Sequence, residues 1–228
     1  MHAQRGGKLR FSAAHLLIAL AAMFIVLPFV DELPNGNLIE SVIFSLVLIA
    51  GIHALGGTWR TQLAAVTLAL PALFSRWINH LSPGLIPPYF GLLVSLIFVT
   101  LVIAHLLRFI GQSPVVTSEV LCSAVAGYLL VALFWSFAYT MLATFRPGAF
   151  VYSDPLVADT TMSGFIALYF SVQVLTTTTF GDVTPASNVA RMMTLVEAIS
   201  GVLYLAILLA RLVGVYSSSP RSTGDDSS

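Results

Sequence analysis

Leu168-Tyr-Phe-Ser-Val-Gln-Val-Leu-Thr-Thr-Thr-Thr-Phe-Gly-Asp-Val-Thr-Pro185 is an apolar segment that runs into four threonines and ends Phe-Gly-Asp. The threonine run is β-branched and reads as strand-like. The apolar segment, Thr161–Leu175, is too short and too polar to cross a bilayer, which takes roughly 20 apolar residues in a helix. Long apolar segments flank it on both sides. A short helix in that setting is expected to enter the membrane and turn back, because irregular backbone at membrane depth must be buried in protein or line a cavity.

The rest of the composition agrees with a membrane setting. Of 228 residues, 57% are hydrophobic and 9% charged, and the mean hydropathy is +0.93. Soluble domains carry roughly 25% charged residues. The formal net charge is zero, which removes the electrostatic case for nucleic acid as a partner. Cys122 is the single cysteine, so one chain can form neither a disulfide nor a thiolate cluster, and it reads as a small core residue.

Six segments are long enough to span: Phe11–Val30, Leu38–Leu55, Thr61–Ile78, Pro88–Ile110, Thr117–Thr144 and Val189–Val215. The first follows Arg5, Lys8 and Arg10, yet it exceeds a signal-peptide core and Val30-Asp31-Glu32-Leu33 offers no small-residue cleavage site, so it reads as a span. With the N-terminus inside, Arg5, Lys8, Arg10, Arg60, Arg108, Arg211 and Arg221 are cytoplasmic, and Arg76, Arg146 and Arg191 are external. That bias predicts two cytoplasmic termini and places Asp31, Glu32, Asp154, Asp159 and Asp182 outside. Turn residues separate the spans at Leu33-Pro-Asn-Gly-Asn37, Gly56-Gly-Thr58, Ser82-Pro-Gly84 and Gly111-Gln-Ser-Pro114. The polar tail after Ser217 is expected to be disordered, with no appended cytosolic sensing domain.

Span, re-entrant helix, extended return, span is the layout of a pore module. Residues 176–182 read Thr-Thr-Thr-Thr-Phe-Gly-Asp, and further stretches agree in order: Tyr128–Tyr139, Arg146-Pro-Gly-Ala-Phe150, Leu168-Tyr-Phe-Ser171 and Ala190–Gly214. From about Val115 to Gly214 the chain resembles the bacterial potassium channel family, whose filter usually reads Thr-Thr-Val-Gly-Tyr-Gly-Asp. The resemblance implies an all-α membrane protein of six transmembrane helices plus a pore helix and filter, in a voltage-gated-like layout. It implies a homotetramer, because one chain carries one filter segment, and a bacterial plasma membrane location. The domains would be a four-helix scaffold over 1–112, a pore domain over 113–216 and a tail over 217–228. Carbonyls of Thr177, Thr178, Thr179 and Phe180 would replace the water around K+, with the Thr177 hydroxyl at the cytoplasmic entrance. Trp135 and Glu197 would support the filter from behind. No cofactor is implied beyond permeant monovalent cations, K+ foremost. Membrane lipid is the other expected partner.

This sequence departs from the family at Thr179, where the first filter glycine would stand. Glycine takes positive φ at no steric cost; a β-branched residue there is an outlier, costing about 1–3 kcal/mol. The filter could keep its shape under strain, relax into a wider path of low potassium-over-sodium selectivity, or collapse. The relaxed path is the expected outcome. Asp182 could concentrate cations at the outer mouth or bond to the pore helix. Glu197, ionisable within a span, is a functional candidate by default, though a hydrogen-bonded buried carboxylate is the reading preferred here. Gly201 falls where the family's hinge glycine lies and could serve as a gating hinge or a close-packing point. The pore helix is expected to be capped near Asp159-Thr-Thr161.

The first four helices carry no array of sensor charges. Pro88–Ile110 offers His105 and Arg108 alone, and the third helix holds Pro71, Arg76 and Trp77, so steep voltage dependence is not expected. Glu40 reads as interfacial, and His15, His53, His80 and His105 have no metal-ligand spacing. Trp59, Trp77 and Arg60 suit anchoring at the membrane interface. A cation transporter of the potassium-uptake kind would carry four filter-like loops in one chain, whereas this chain carries one and shows no internal repeat. No constellation of catalytic residues marks an enzyme. A non-conducting or partner-dependent channel subunit remains the alternative that Thr179 supports.

Overall fold

The computed structural model describes residues 12–30, 33, 36–55, 59–82, 85–153, 162 and 164–217. Seven helices follow in chain order among them: α1 (Ser12–Val30), α2 (Gly36–Ala54), α3 (Trp59–Leu81), α4 (Pro88–Gln112), α5 (Ser118–Phe145), α6 (Gly164–Leu175) and α7 (Asn188–Ser217). Two short strands, β1 (Phe150–Tyr152) and β2 (Val183–Pro185), pair antiparallel with Val151 opposite Thr184. Arg5, Lys8, Arg10, Asp31, Glu32, the Gly56–Thr58 turn, Asp154, the Asp159–Thr161 cap and the tail beyond residue 217 lie outside the described residues.

Five helices, α1, α2, α4, α5 and α7, are long and apolar enough to cross a membrane. The expected third span differs. α3 has the length, at 23 residues, but Gln62, Arg76 and Trp77 dilute its apolar run. α6 is short, as the sequence predicts.

Two apolar clusters hold the chain together. The larger joins α1 through α5 and reaches the pore helix at Leu168 and Leu175. The smaller joins α5, α6, β1, β2 and α7 around Tyr139, Phe150, Phe170 and Val174. In it Tyr139, Phe150 and Phe170 meet edge to face, at centroid distances of 5.1–5.6 Å, the arrangement their ring quadrupoles favour.

Polar contacts tie the scaffold to this core. Glu40 of α2 pairs with Arg76 of α3 at 2.6 Å, and the guanidinium also lies over Phe44 and bonds the Ser41 hydroxyl at 3.2 Å. The Glu40 carboxylate reaches to 3.8 Å from where a Cβ on Gly164 would stand, beside the positive end of α6. The interfacial reading of Glu40 thus missed a bridge between α2, α3 and the start of α6. At the other end Arg211 of α7 donates to the carbonyls of Ile110 (2.7 Å) and Ser113 (3.0 Å), the last turn and cap of α4, where a cation is favoured.

Gly201 packs tightly. A Cβ there would stand 2.5 Å from the Leu175 carbonyl oxygen and 2.9 Å from its side chain. Gly214, on the same helix, has nothing within 4 Å. Gly201→Val therefore lowers the thermal unfolding midpoint of the purified chain, by the roughly 1–3 kcal/mol typical of overpacking. Gly214→Ala raises it slightly, because alanine loses less entropy in a helix. Tryptophan-fluorescence melts of both variants check the pair.

Candidate functional site

α6 ends at Leu175, and the chain then turns back through residues 176–182 instead of crossing. The expected strand-like character of the threonine run is not what forms. Thr176 and Thr177 make a turn, and Thr178–Phe180 are irregular. The reason is an alternation of backbone hand. Thr177 takes φ +58°, Thr179 φ +24° and Gly181 φ +83°, with residues of negative φ between them. Such alternation turns successive carbonyls to one side, whereas a strand points them alternately to both. Only Gly181 takes positive φ at no steric cost. Thr179 is in the conformation that its side chain disfavours.

The pore helix itself supplies the brace. The Gln173 backbone carbonyl accepts from the Thr178 N–H (2.9 Å) and the Thr179 N–H (3.5 Å). Its side-chain Oε1 accepts from the Phe180 N–H at 3.1 Å, and its Nε2 donates to Asp182 Oδ1 at 3.3 Å. One buried glutamine thus fixes three backbone amides and the carboxylate that follows. Its position five residues before Thr178 is the signal the sequence reading passed over. Thr176 closes the helix, its hydroxyl donating to the Val172 carbonyl at 2.7 Å and lying 2.9 Å from that of Thr178. The Tyr169 and Phe180 rings stack at 6.5 Å. Residues Thr176–Gly181 are exposed on the single chain.

Asp182 is drawn to the pore helix. Burial alone would raise its pKa, but hydrogen bonds from Tyr169, Gln173 and the amides of Val183 and Asp182 outweigh it and hold the carboxyl below the usual range. The strands then anchor the outer end, with the Ser153 N–H donating to the Asp182 carbonyl at 2.8 Å.

Glu197 is fully buried in α7. Its Oε1 accepts from the Ser171 hydroxyl of α6 at 2.5 Å, and its Oε2 accepts from the Tyr139 hydroxyl of α5. The Ser171 hydroxyl also lies 2.8 Å from the Ala132 carbonyl of α5. Trp135 is half-buried, and its rings meet Phe134 and Tyr139; it reaches this junction through Tyr139. Lower down, the Tyr128 hydroxyl donates to the Leu175 carbonyl at 3.2 Å. The Tyr204 hydroxyl occupies the space left by Gly127 and donates to the Ala124 carbonyl at 2.7 Å. Gln173, Tyr139, Ser171, Tyr128 and Tyr204 were not singled out in the sequence; in a chain this apolar, a polar residue at a buried helix position is the signal that could have found them. Among the described residues no cluster of three or more His, Cys, Asp or Glu could hold a metal ion.

Fold and composition together define a multi-pass membrane protein in which a short apolar helix, α6, lies between two long ones. Residues 115–218, just under half of the chain, match the family described as Ion channel, which supports an ion-channel function over an enzymatic one. No curated protein and no solved structure matches the chain.

Two outcomes test this site. Glu197→Ala leaves the Tyr139 hydroxyl buried without its acceptor, while Ser171 keeps the Ala132 carbonyl, and such a loss costs about 1–3 kcal/mol. Its melting midpoint falls further than that of Glu197→Gln, which keeps an acceptor oxygen. Asp182 gives a pH signature. A folded-state pKa below the unfolded value adds stability that is complete above about pH 4. That stability is lost as pH falls toward the depressed folded value. Melts between pH 3 and 6 should show this acid-side loss in the wild type and a flatter profile in Asp182→Asn.

Proposed function

We propose that the chain forms a homotetrameric, six-span monovalent cation channel of potassium-channel type, with selectivity relaxed at Thr179. The observation that carries the reading is the positive φ at Thr177, Thr179 and Gly181 in a loop braced by Gln173. A cation would exchange its hydration oxygens for carbonyls of Thr177, Thr178, Thr179 and Phe180. Because α6 ends at this loop, the negative end of its dipole favours a cation there. The chain has one such loop, so a ring of carbonyls takes several copies. α7 supports that assembly: only 6% of it is buried in one chain, against 56% of α5.

In this reading Gly201 is the point where α7 rests on the pore helix, so bending there would move Leu175 as well. Both termini are cytoplasmic and the membrane is a bacterial plasma membrane. The scaffold over 1–112 packs beside the pore and confers no steep voltage dependence, since α4 carries one arginine and one histidine. A partner-dependent or silent subunit is the second reading, favoured by the disfavoured φ of +24° at Thr179.

The purified chain in liposomes, assayed for potassium and sodium flux beside Thr179→Gly, separates these. Wild type is expected to carry both ions. Releasing about 1–3 kcal/mol of backbone strain should let Thr179→Gly favour potassium by about tenfold more, since a factor of ten corresponds to about 1.4 kcal/mol. Strong potassium selectivity in the wild type would overturn the relaxed filter. A silent wild type with a conducting variant would establish the second reading.

A further inference from the structure

A groove of about 600 Å³ lies between α3 and α4, away from the filter. Its long wall is a stripe of α4: Leu93, Ile97, Leu101 and Ala104, ending at His105 and Arg108. From Leu93 to Arg108 this stripe is about 22 Å long at 1.5 Å per residue. That exceeds the depth of one leaflet, half of a roughly 30 Å hydrocarbon core. Leu93 and Ile97 are 45% and 47% exposed, so the groove opens sideways. The opposite wall includes Thr61 and Ala64 of α3.

The two ends of the groove differ in chemistry. The Leu93 end is apolar, and the other carries an exposed guanidinium with a histidine one turn before it. No acidic residue lines the groove. Glu119 lines a separate small cavity that His105 also borders. Among the described residues Arg108 makes neither an ion pair nor a side-chain hydrogen bond. An apolar slot one lipid tail deep, open on its side and closed at one end by a cation with no partner among the described residues, matches one ligand shape: a long acyl chain ending in a phosphate. Basic pockets between membrane helices recognise anionic headgroups by the same physics.

We propose that this groove binds one anionic phospholipid per chain, its acyl tail along the α4 stripe and its phosphate on Arg108 beside His105. The site does not depend on ion conduction.

The delipidated full chain, titrated with dioleoyl phosphatidylglycerol and dioleoyl phosphatidylcholine, tests it, with bound lipid counted by native mass spectrometry. Wild type is expected to retain one phosphatidylglycerol per chain at a concentration at least about tenfold below that needed for phosphatidylcholine. Arg108→Gln should abolish that preference while keeping weak retention of both lipids. Ile97→Trp, which fills the slot from an exposed position, should lower retention of both. Equal retention by the wild type, an unchanged preference in Arg108→Gln, or no effect of Ile97→Trp would each overturn the site. Inorganic phosphate raising the melting midpoint as much as phosphatidylglycerol would show a simple anion site and overturn the lipid assignment.

Discussion

The carboxylate of Glu197 is the constraint on which the pore half depends. A carboxyl group without exposure must have each oxygen satisfied, because an unpaired buried polar group costs about 1–3 kcal/mol. Here the two oxygens take hydroxyls from two different helices, Tyr139 on α5 and Ser171 on α6. Satisfying one side chain therefore fixes α5, α6 and α7 against one another. Apolar packing in a membrane cannot do this alone, since lipid tails are as apolar as leucine and helix association draws on packing and hydrogen bonds. The same junction sets the height of α6, and α6 sets the height of Gln173.

From Gln173 the constraint passes to the backbone. Three amides on one residue leave the returning chain little freedom, and β1 paired with β2 removes the rest at the outer end. A loop held at both ends can keep a β-branched residue at positive φ, because strained conformations persist where the surroundings over-determine them. Strain at Thr179 and rigidity at Gln173 and Asp182 are therefore parts of one design.

Much of this was legible in the sequence. The long apolar runs gave α1, α2, α4, α5 and α7 to within a few residues, and the short run before the threonines gave α6. Composition decides such elements, and it was sufficient. Composition was not sufficient for α3, where a few polar residues lower an otherwise long helix. The threonine run read as a strand because propensity favours it, and hydrogen bonds from the Thr178, Thr179 and Phe180 amides to Gln173 overrode that propensity. Glu197 drew notice as an ionisable group in a span, but its partners lie 26 and 58 residues away, and a single sequence carries no signal for such pairings. The Glu40–Arg76 pair escaped for the same reason: Glu40 looks interfacial by itself, and only the packing of α2 against α3 brings it to Arg76.

How the scaffold meets the pore follows from a short connection. α4 ends at Gln112 and α5 begins at Ser118, so residues 113–117 have no length to carry α5 to a distant position. α4 must lie beside its own α5, and Ile110, Val120 and Ala124 pack there with Leu208 and Leu212 of α7. Arg211 then joins α7 to the carbonyls at the end of α4, while Glu40 brings the opposite end of the scaffold to the start of α6. The first four helices thus touch α6 and α7 at two opposite places, through a cation at one and an anion at the other. Each charge sits where a helix terminus offers the opposite partial charge. A change in the tilt of α4 would act on α7 through Arg211, and a change in α2 or α3 would act on the pore helix through Glu40. The first four helices are in this way mechanically continuous with the loop over 176–182, although they carry no array of charges to sense a field.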